Sequence, residues 1–122
     1  MSVIPAADDV LDPSVEVLPL SEIAARLGQP VSKAEQAVRD HQLIAFRREG
    51  RFMVPALFLT ENDEVVKGLP GTLTVLADSG FTPTEMLRWL FTSDDSLPGT
   101  PIEALRGNRG REVKRRAQAL AI

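Results

Sequence analysis

Leu20, Ile23, Ala24 and Leu27 fall at i, i+3, i+4 and i+7, the spacing of one apolar stripe on a helix. Ser21 stands where a cap is expected, Gly28 where the helix ends, and Gln29-Pro30 forbids its continuation. Ser32, followed three residues later by Glu35, has the pattern of a capping box, so a second helix is predicted from Lys33 to about Asp40. Its Ala34, Ala37 and Val38 turn inward and its Lys33, Gln36 and Arg39 outward. Two short helices joined by a tight Gly-containing turn make a helix-turn-helix unit.

The period then changes. Leu43-Ile44-Ala45-Phe46-Arg47-Arg48, Glu49-Gly50 and Arg51-Phe52-Met53-Val54 read as two strands around a turn. Ile44 and Phe46 share one face of the first strand, Phe52 and Val54 one face of the second. Pro55 stops the hairpin and starts a short turn over Ala56-Leu57-Phe58-Leu59. The rest reads as helical. A short piece from Val65 to Leu69 is cut by Pro70-Gly71. An apolar helix around Leu73, Val75, Leu76 and Ala77 ends at Ser79-Gly80. Thr82-Pro83-Thr84-Glu85 starts another, with Pro at its first position. After a polar loop from Thr92 to Gly99 come a short helix from Pro101 to Leu105 and a last one from about Arg109 to Ala121. Leu69-Pro70-Gly71-Thr72 and Leu97-Pro98-Gly99-Thr100 repeat the same four letters as a duplicated helix-start signal.

This order predicts a mainly α fold with a small β-hairpin wing: a winged helix-turn-helix followed by a helical C-terminal domain. The boundaries are a flexible acidic tail over 1–18, the winged helix over 19–60 and the helical domain over 61–122.

The chain has 122 residues and a net charge of −3, with 43% apolar and 25% charged residues, the balance of one folded domain or two small ones. The charge is laid out in blocks. Residues 1–25 hold five acids and no base; 26–60 carry net +3, 61–103 net −6 and 104–122 net +5. With a Debye length of about 8 Å, a ligand feels the local block more than the total. Zero Cys excludes disulfides, thiolate nucleophiles and Cys-based zinc sites, and one His, His41, excludes multi-His metal centres. His41 reads as a partner for the dipole at the end of the second helix. No nucleophile–base set, P-loop or dinucleotide fingerprint is present, so no enzyme and no cofactor are expected. No run of about 18 apolar residues or signal-peptide pattern occurs, which points to a cytoplasmic, nucleoid-associated protein that meets no membrane.

The candidate chemistry is cationic. Ser32, Lys33, Gln36 and Arg39 on the second helix and Arg47, Arg48 and Arg51 around the hairpin tip suit a duplex. Ser32 and the cations reach phosphates, Gln36 reads adenine edges, and Arg at a wing suits the backbone or a minor groove. The basic last helix, with Arg111, Lys114, Arg115 and Arg116, has three readings: a solvated face balancing the acidic 61–103 block, secondary phosphate contacts through Arg111, Lys114 and Arg115, or a membrane-surface helix, the last disfavoured because its apolar face is mostly Ala and offers little area to bury. Trp89 and Phe91 read either as core or as an exposed anchor for a protein partner of the C-terminal helices.

The stretch from Leu20-Ser-Glu-Ile-Ala-Ala-Arg-Leu-Gly28 to Phe52-Met-Val-Pro-Ala-Leu57 resembles the excisionase and MerR-type winged-helix module. More widely, about 110 residues resemble a family of small actinobacterial DNA-binding proteins. Asp8–Asp12, Val31-Ser32-Lys33, Val65–Gly71, Met86–Thr92 and Arg111–Ala119 carry the likeness. It implies a transcriptional regulator or nucleoid-associated factor that binds double-stranded DNA, with an N-terminal tail targeted by a Ser/Thr kinase. The hydroxyls of this tail are Ser2 and Ser14. Leu97–Leu105 followed by Glu112-Val113 also resembles the toxin-binding domain of some antitoxins, which implies the alternative of a protein-interaction module.

Overall fold

The computed structural model describes residues 4–95, 97 and 99–120; Ser2, Pro98 and Ala121, which enter the expectations above, lie outside them. Strands β1 (Ala6–Ala7) and β2 (Val17–Pro19) precede helices α1 (Leu20–Arg26) and α2 (Val31–Arg39). Strands β3 (Ala45–Arg48) and β4 (Arg51–Pro55) follow, then a 3₁₀ turn at Ala56–Phe58. Helices α3 (Leu69–Asp78), α4 (Pro83–Leu90), α5 (Pro101–Arg106) and α6 (Gly110–Ala119) complete the chain. The mainly helical plan with a hairpin wing is the one observed.

The acidic N-terminal stretch is not a free tail from Ile4 onward. Ile4 is 5% exposed and Ala7 3%. Ala6–Ala7 run parallel to Ala45–Phe46, and Val17–Pro19 run antiparallel to Met53–Pro55, giving a sheet of order β1-β3-β4-β2. The hairpin alone would present two unpaired edges; the segment before it covers both. Strands of two and three residues are too short to show an alternating pattern, so their sequence looks patternless.

Capping also departs from expectation at two helices. Pro19 and Pro30, both extended, are the N-caps of α1 and α2, and neither helix has a side-chain cap. Ser21 and Ser32 therefore lie inside their helices, and the box expected between Ser32 and Glu35 is absent. Pro fixes the extended entry that an N-cap requires, which moves each helix start upstream of the Ser. The short helix expected over 65–69 is also absent. Pro70-Gly71 stand within the first turn of α3, where Pro is tolerated, so the dipeptide opens a helix instead of cutting one.

Helix ends follow the sequence more closely. Gly28 takes φ +69 after α1, with its N–H on Ala25 and that of Gln29 on Ala24, the paired bonds of a Schellman motif. α2 ends the same way, but with His41 in the left-handed position at φ +59. His41 donates its backbone N–H to Val38, and Gln42 to Ala37. Its role here is conformational.

Both faces of the hairpin are covered. Ala45 and Val54 are fully buried on one side and Phe46 on the other. Phe46 and Phe58 each contribute about 1.5–3 kcal/mol of burial. Phe58 faces Phe91 with ring centroids 6.2 Å apart, and Trp89 and Phe91 are half-buried against the core, so both serve packing. Arg106 donates to the carbonyls of Leu57 and Leu59, and the Val66 N–H to Phe58, tying the helical half to the 3₁₀ segment that follows β4.

Candidate nucleic-acid interface

α2 is short because Pro30 starts it and the left-handed turn at His41 stops it. Ala34 and Val38, 0% and 2% exposed, fix its inward face. Ser32, Lys33 and Gln36 are exposed on the other side, and Arg39 is half-buried. α2 has no acid in its first turn and no side-chain cap. The Lys33 N–H turns back to the Pro30 carbonyl at 3.0 Å, and the positive dipole end of the helix, with no side chain capping it, remains open to an anion.

The side chains of α2 hold one another. Gln36 Nε2 donates to Asp40 Oδ1 at 2.9 Å, while Arg39 Nε and Nη2 donate to Gln36 Oε1 at 3.3 and 3.1 Å. The Gln36 amide is therefore fixed in one orientation. Arg39 Nη1 is shielded from solvent and meets no acceptor among the described residues. Swinging this guanidinium onto a phosphate would satisfy a donor the fold leaves unmatched.

The wing closes through Glu49 at φ +53 and Gly50 at φ +77, a two-residue turn with both centres left-handed. Arg48 lies opposite Arg51, and Arg47 opposite Phe52. Neighbours on a strand point to opposite faces, so Arg47 projects from one side of the ribbon and Arg48 and Arg51 from the other. The Arg47 guanidinium carbon lies 4.9 Å from the Phe52 ring centre, which restrains it without neutralising it. Lys33, Arg47 and Arg51 meet no acid among the described residues.

Arg48 differs. Asp9 binds its guanidinium, with Nε 2.8 Å from Oδ2, and its carbon lies 5.3 Å from the Phe46 ring centre. The parallel register that sets Ala7 beside Phe46 carries Asp9 level with Arg48 two residues on. Two like charges facing each other across a hairpin repel; Asp9 offsets that repulsion. The hydrogen bond from Arg48 holds the Asp9 carboxyl below its ordinary value and raises the guanidinium in return. Of the three wing arginines expected to meet a duplex, the structure leaves Arg47 and Arg51 uncompensated and engages Arg48. Asp9, Asp40 and Phe52, which set the state of Arg48, Gln36 and Arg47, were missed from the sequence. The acid-only composition of residues 1–25 was the signal available for Asp9.

Arg111, Lys114 and Arg115 lie exposed on α6, in the helical half and away from α2 in sequence. α6 packs chiefly along α3 and α5, while the wing strands β3 and β4 pack chiefly on each other, on β1 and β2 and on α1.

Two family models match the chain. One, described as the wHTH domain of DNA-binding protein Rv2175c, covers residues 3–59. The other, described as the Rv2175c C-terminal domain of unknown function, covers residues 66–121. The chain is 47% identical over 130 residues to "DNA-binding protein Rv2175c" of Mycobacterium tuberculosis (strain ATCC 25618 / H37Rv), spanning 97% of this chain and 89% of that protein. Its fold is similar to the NMR structure of Rv2175c, with a TM-score of 0.88 at 46% identity, covering 98% of this chain and 90% of that one.

Proposed function

The chain belongs to the family of DNA-binding protein Rv2175c, and from that premise we propose that it binds double-stranded DNA with α2 in the major groove and the β3–β4 wing on the adjoining backbone. This is a binding family and not an enzyme family.

The observation that carries the reading is the state of the cations. Lys33, Arg47 and Arg51 are without acidic partners among the described residues, on the helix and hairpin that a winged helix presents to a duplex. Lys33 and the open first turn of α2 take phosphate, and Ser32 adds a hydroxyl donor there. Gln36 offers the paired donor and acceptor that read adenine. Arg39, released from Gln36, adds a further phosphate contact, as does Arg47 or Arg51 according to which face of the wing meets the groove. Arg48 is held in reserve by Asp9. A role in transcription or in nucleoid organisation follows; genomic footprinting separates discrete operators from broad coverage.

The test is a salt titration of the full chain on duplex DNA. Three to four phosphates neutralised give a slope of log K against log salt of about −3 to −4. Arg47→Ala combined with Arg51→Ala flattens it by about 0.9 for each phosphate no longer neutralised. A slope shallower than about −1, unchanged in that variant, overturns the reading and leaves the winged helix as a scaffold for protein contacts.

A further inference from the structure

A cleft of about 630 Å³ opens between the start of α3 and the start of α6, in the half of the chain that the wing does not use. Lys67, Arg111 and Lys114 line it together with Gly68, Gly71, Asn108 and Gly110, and no acidic side chain does. We propose that this cleft is a second, separate binding site that takes a phosphate group through Lys67, Arg111 and Lys114.

The charge distribution on α6 points there. Arg109 pairs with Glu112 at 3.3 Å and Arg116 with Asp94 at 3.7 Å. Arg111, Lys114 and Lys67 have no acid partner among the described residues. Arg111 and Lys114 stand three apart on one helix, and Lys67 reaches the same cleft from a separate segment. Bringing three like charges around one concavity is unfavourable without an anion to share.

Gly71 is a second, independent sign. Its backbone φ is not left-handed, and a Cβ placed on it would meet nothing within 4 Å. Neither conformation nor packing calls for Gly there, although Gly is a weaker helix former than Ala. Lining the cleft, it lets a ligand approach the backbone closely. Gly68 has its own reasons instead: it takes a left-handed φ of +90, and a Cβ on it would come within 3.1 Å of Leu105 Cδ2 and 3.5 Å of the Cα of Gly110. The close approach of Gly68 and Gly110 brings the two helix starts together and forms the cleft floor. Three cations from two segments suit the several oxygens of a phosphoryl group, and the volume leaves room for the body that carries it. That body is a duplex backbone or a small phosphorylated molecule.

The experiment is an NMR titration of the full chain with inorganic pyrophosphate, following the Gly68, Gly71, Gly110 and Arg111 amides. These amides shift and saturate. Lys67→Gln combined with Lys114→Gln, both on exposed side chains, weakens the binding by about tenfold or more. Arg47→Gln combined with Arg51→Gln removes the same charge elsewhere and leaves it within about twofold. A duplex arm distinguishes the sources. Duplex that moves the same amides makes the ligand a backbone phosphate, and duplex that leaves them unmoved makes it a small phosphorylated molecule. No saturable shift from either probe, or equal weakening by the wing variant, overturns the site.

Discussion

Asp9 and Arg48, 39 residues apart in the chain, are joined by two hydrogen bonds, Nε to Oδ2 at 2.8 Å and Nη2 to Oδ1 at 3.1 Å. The pair fastens the segment before the winged helix to the wing itself. It also sets how many wing cations are available to a polyanion.

Replacing Asp9 with Asn therefore releases a cation. The expected result is tighter duplex binding and a salt slope steeper by about 0.9, with at most about 1 kcal/mol lost in stability, because both side chains are roughly a third exposed. Fluorescence anisotropy at several salt concentrations reads the first, urea unfolding the second. Carrying the substitution in an Arg48→Ala background should abolish the steeper slope; if it persists there, Asp9 acts by simple repulsion of DNA and not through Arg48.

Gln36 has its amide engaged by Asp40 and Arg39 before any DNA arrives. Gln36→Ala should alter sequence preference more than affinity, costing about 1–3 kcal/mol of discrimination at one base pair. Selection from a randomised duplex pool checks this. A uniform loss across all sequences would assign Gln36 to positioning Arg39.

His41 occupies a left-handed backbone position at φ +59 that suits Gly better. His41→Gly should stabilise the protein by about 0.5–1 kcal/mol, less than the full conformational gain because Gly loses more entropy on folding. Thermal unfolding should show a rise of a few degrees. A lower melting temperature would mean that the imidazole makes a contribution larger than its backbone cost.

Ile4 is 5% exposed at the start of the chain, just before β1. Ile4→Ala should cost about 2–3 kcal/mol, as for other buried aliphatic truncations. A free tail predicts no change in the urea midpoint, so the measurement distinguishes an integrated strand from a tail.

Acid should weaken the fold through four carboxylates, among them Asp12, held below 3.8 by hydrogen bonds from the Ser14 backbone N–H and hydroxyl. Glu85 and Glu103 are held below their ordinary 4.5 chiefly by the backbone N–H groups of Thr82 and Thr100, in capping boxes at the starts of α4 and α5. Asp9 is held below 3.8 by Arg48. A carboxyl lowered by folding stabilises the native state above its unfolded value, and that contribution disappears as pH falls through the folded one. The urea midpoint should stay level from pH 7 to about 5 and fall below about 4.5. Glu85→Gln with Glu103→Gln should make the fall shallower; an identical profile removes the boxes from the account.

The two copies of Leu-Pro-Gly-Thr show how far reading along the chain reaches. Thr100 is an N-cap because Glu103 stands three residues on and completes the box. Thr72 has Val75 at that distance, and its side chain turns back to the Gly68 carbonyl at 2.8 Å inside α3. That difference was available in the letters. The caps of α1 and α2 are legible too, because Pro19 and Pro30 fix an extended entry ahead of the serines that follow them. The Arg48 partner was not, because a bond between residues 39 positions apart depends on a strand pairing that two alanines do not announce.

Periodicity and punctuation by themselves determined where α1 to α6 run, though not where α1, α2 and α3 start, along with the hairpin, the Gly28 and Gly50 turns and the choice of α2 and the wing as cationic elements, since each follows from interactions within a few residues. Tertiary structure alone decided that residues 4–19 close the sheet, that Arg48 is neutralised while Lys33, Arg47 and Arg51 are not, and that Lys67 joins Arg111 and Lys114 around one cleft. Charges reveal their sign along the chain, but whether two of them meet is fixed by packing between distant segments, and only the folded backbone sets those distances.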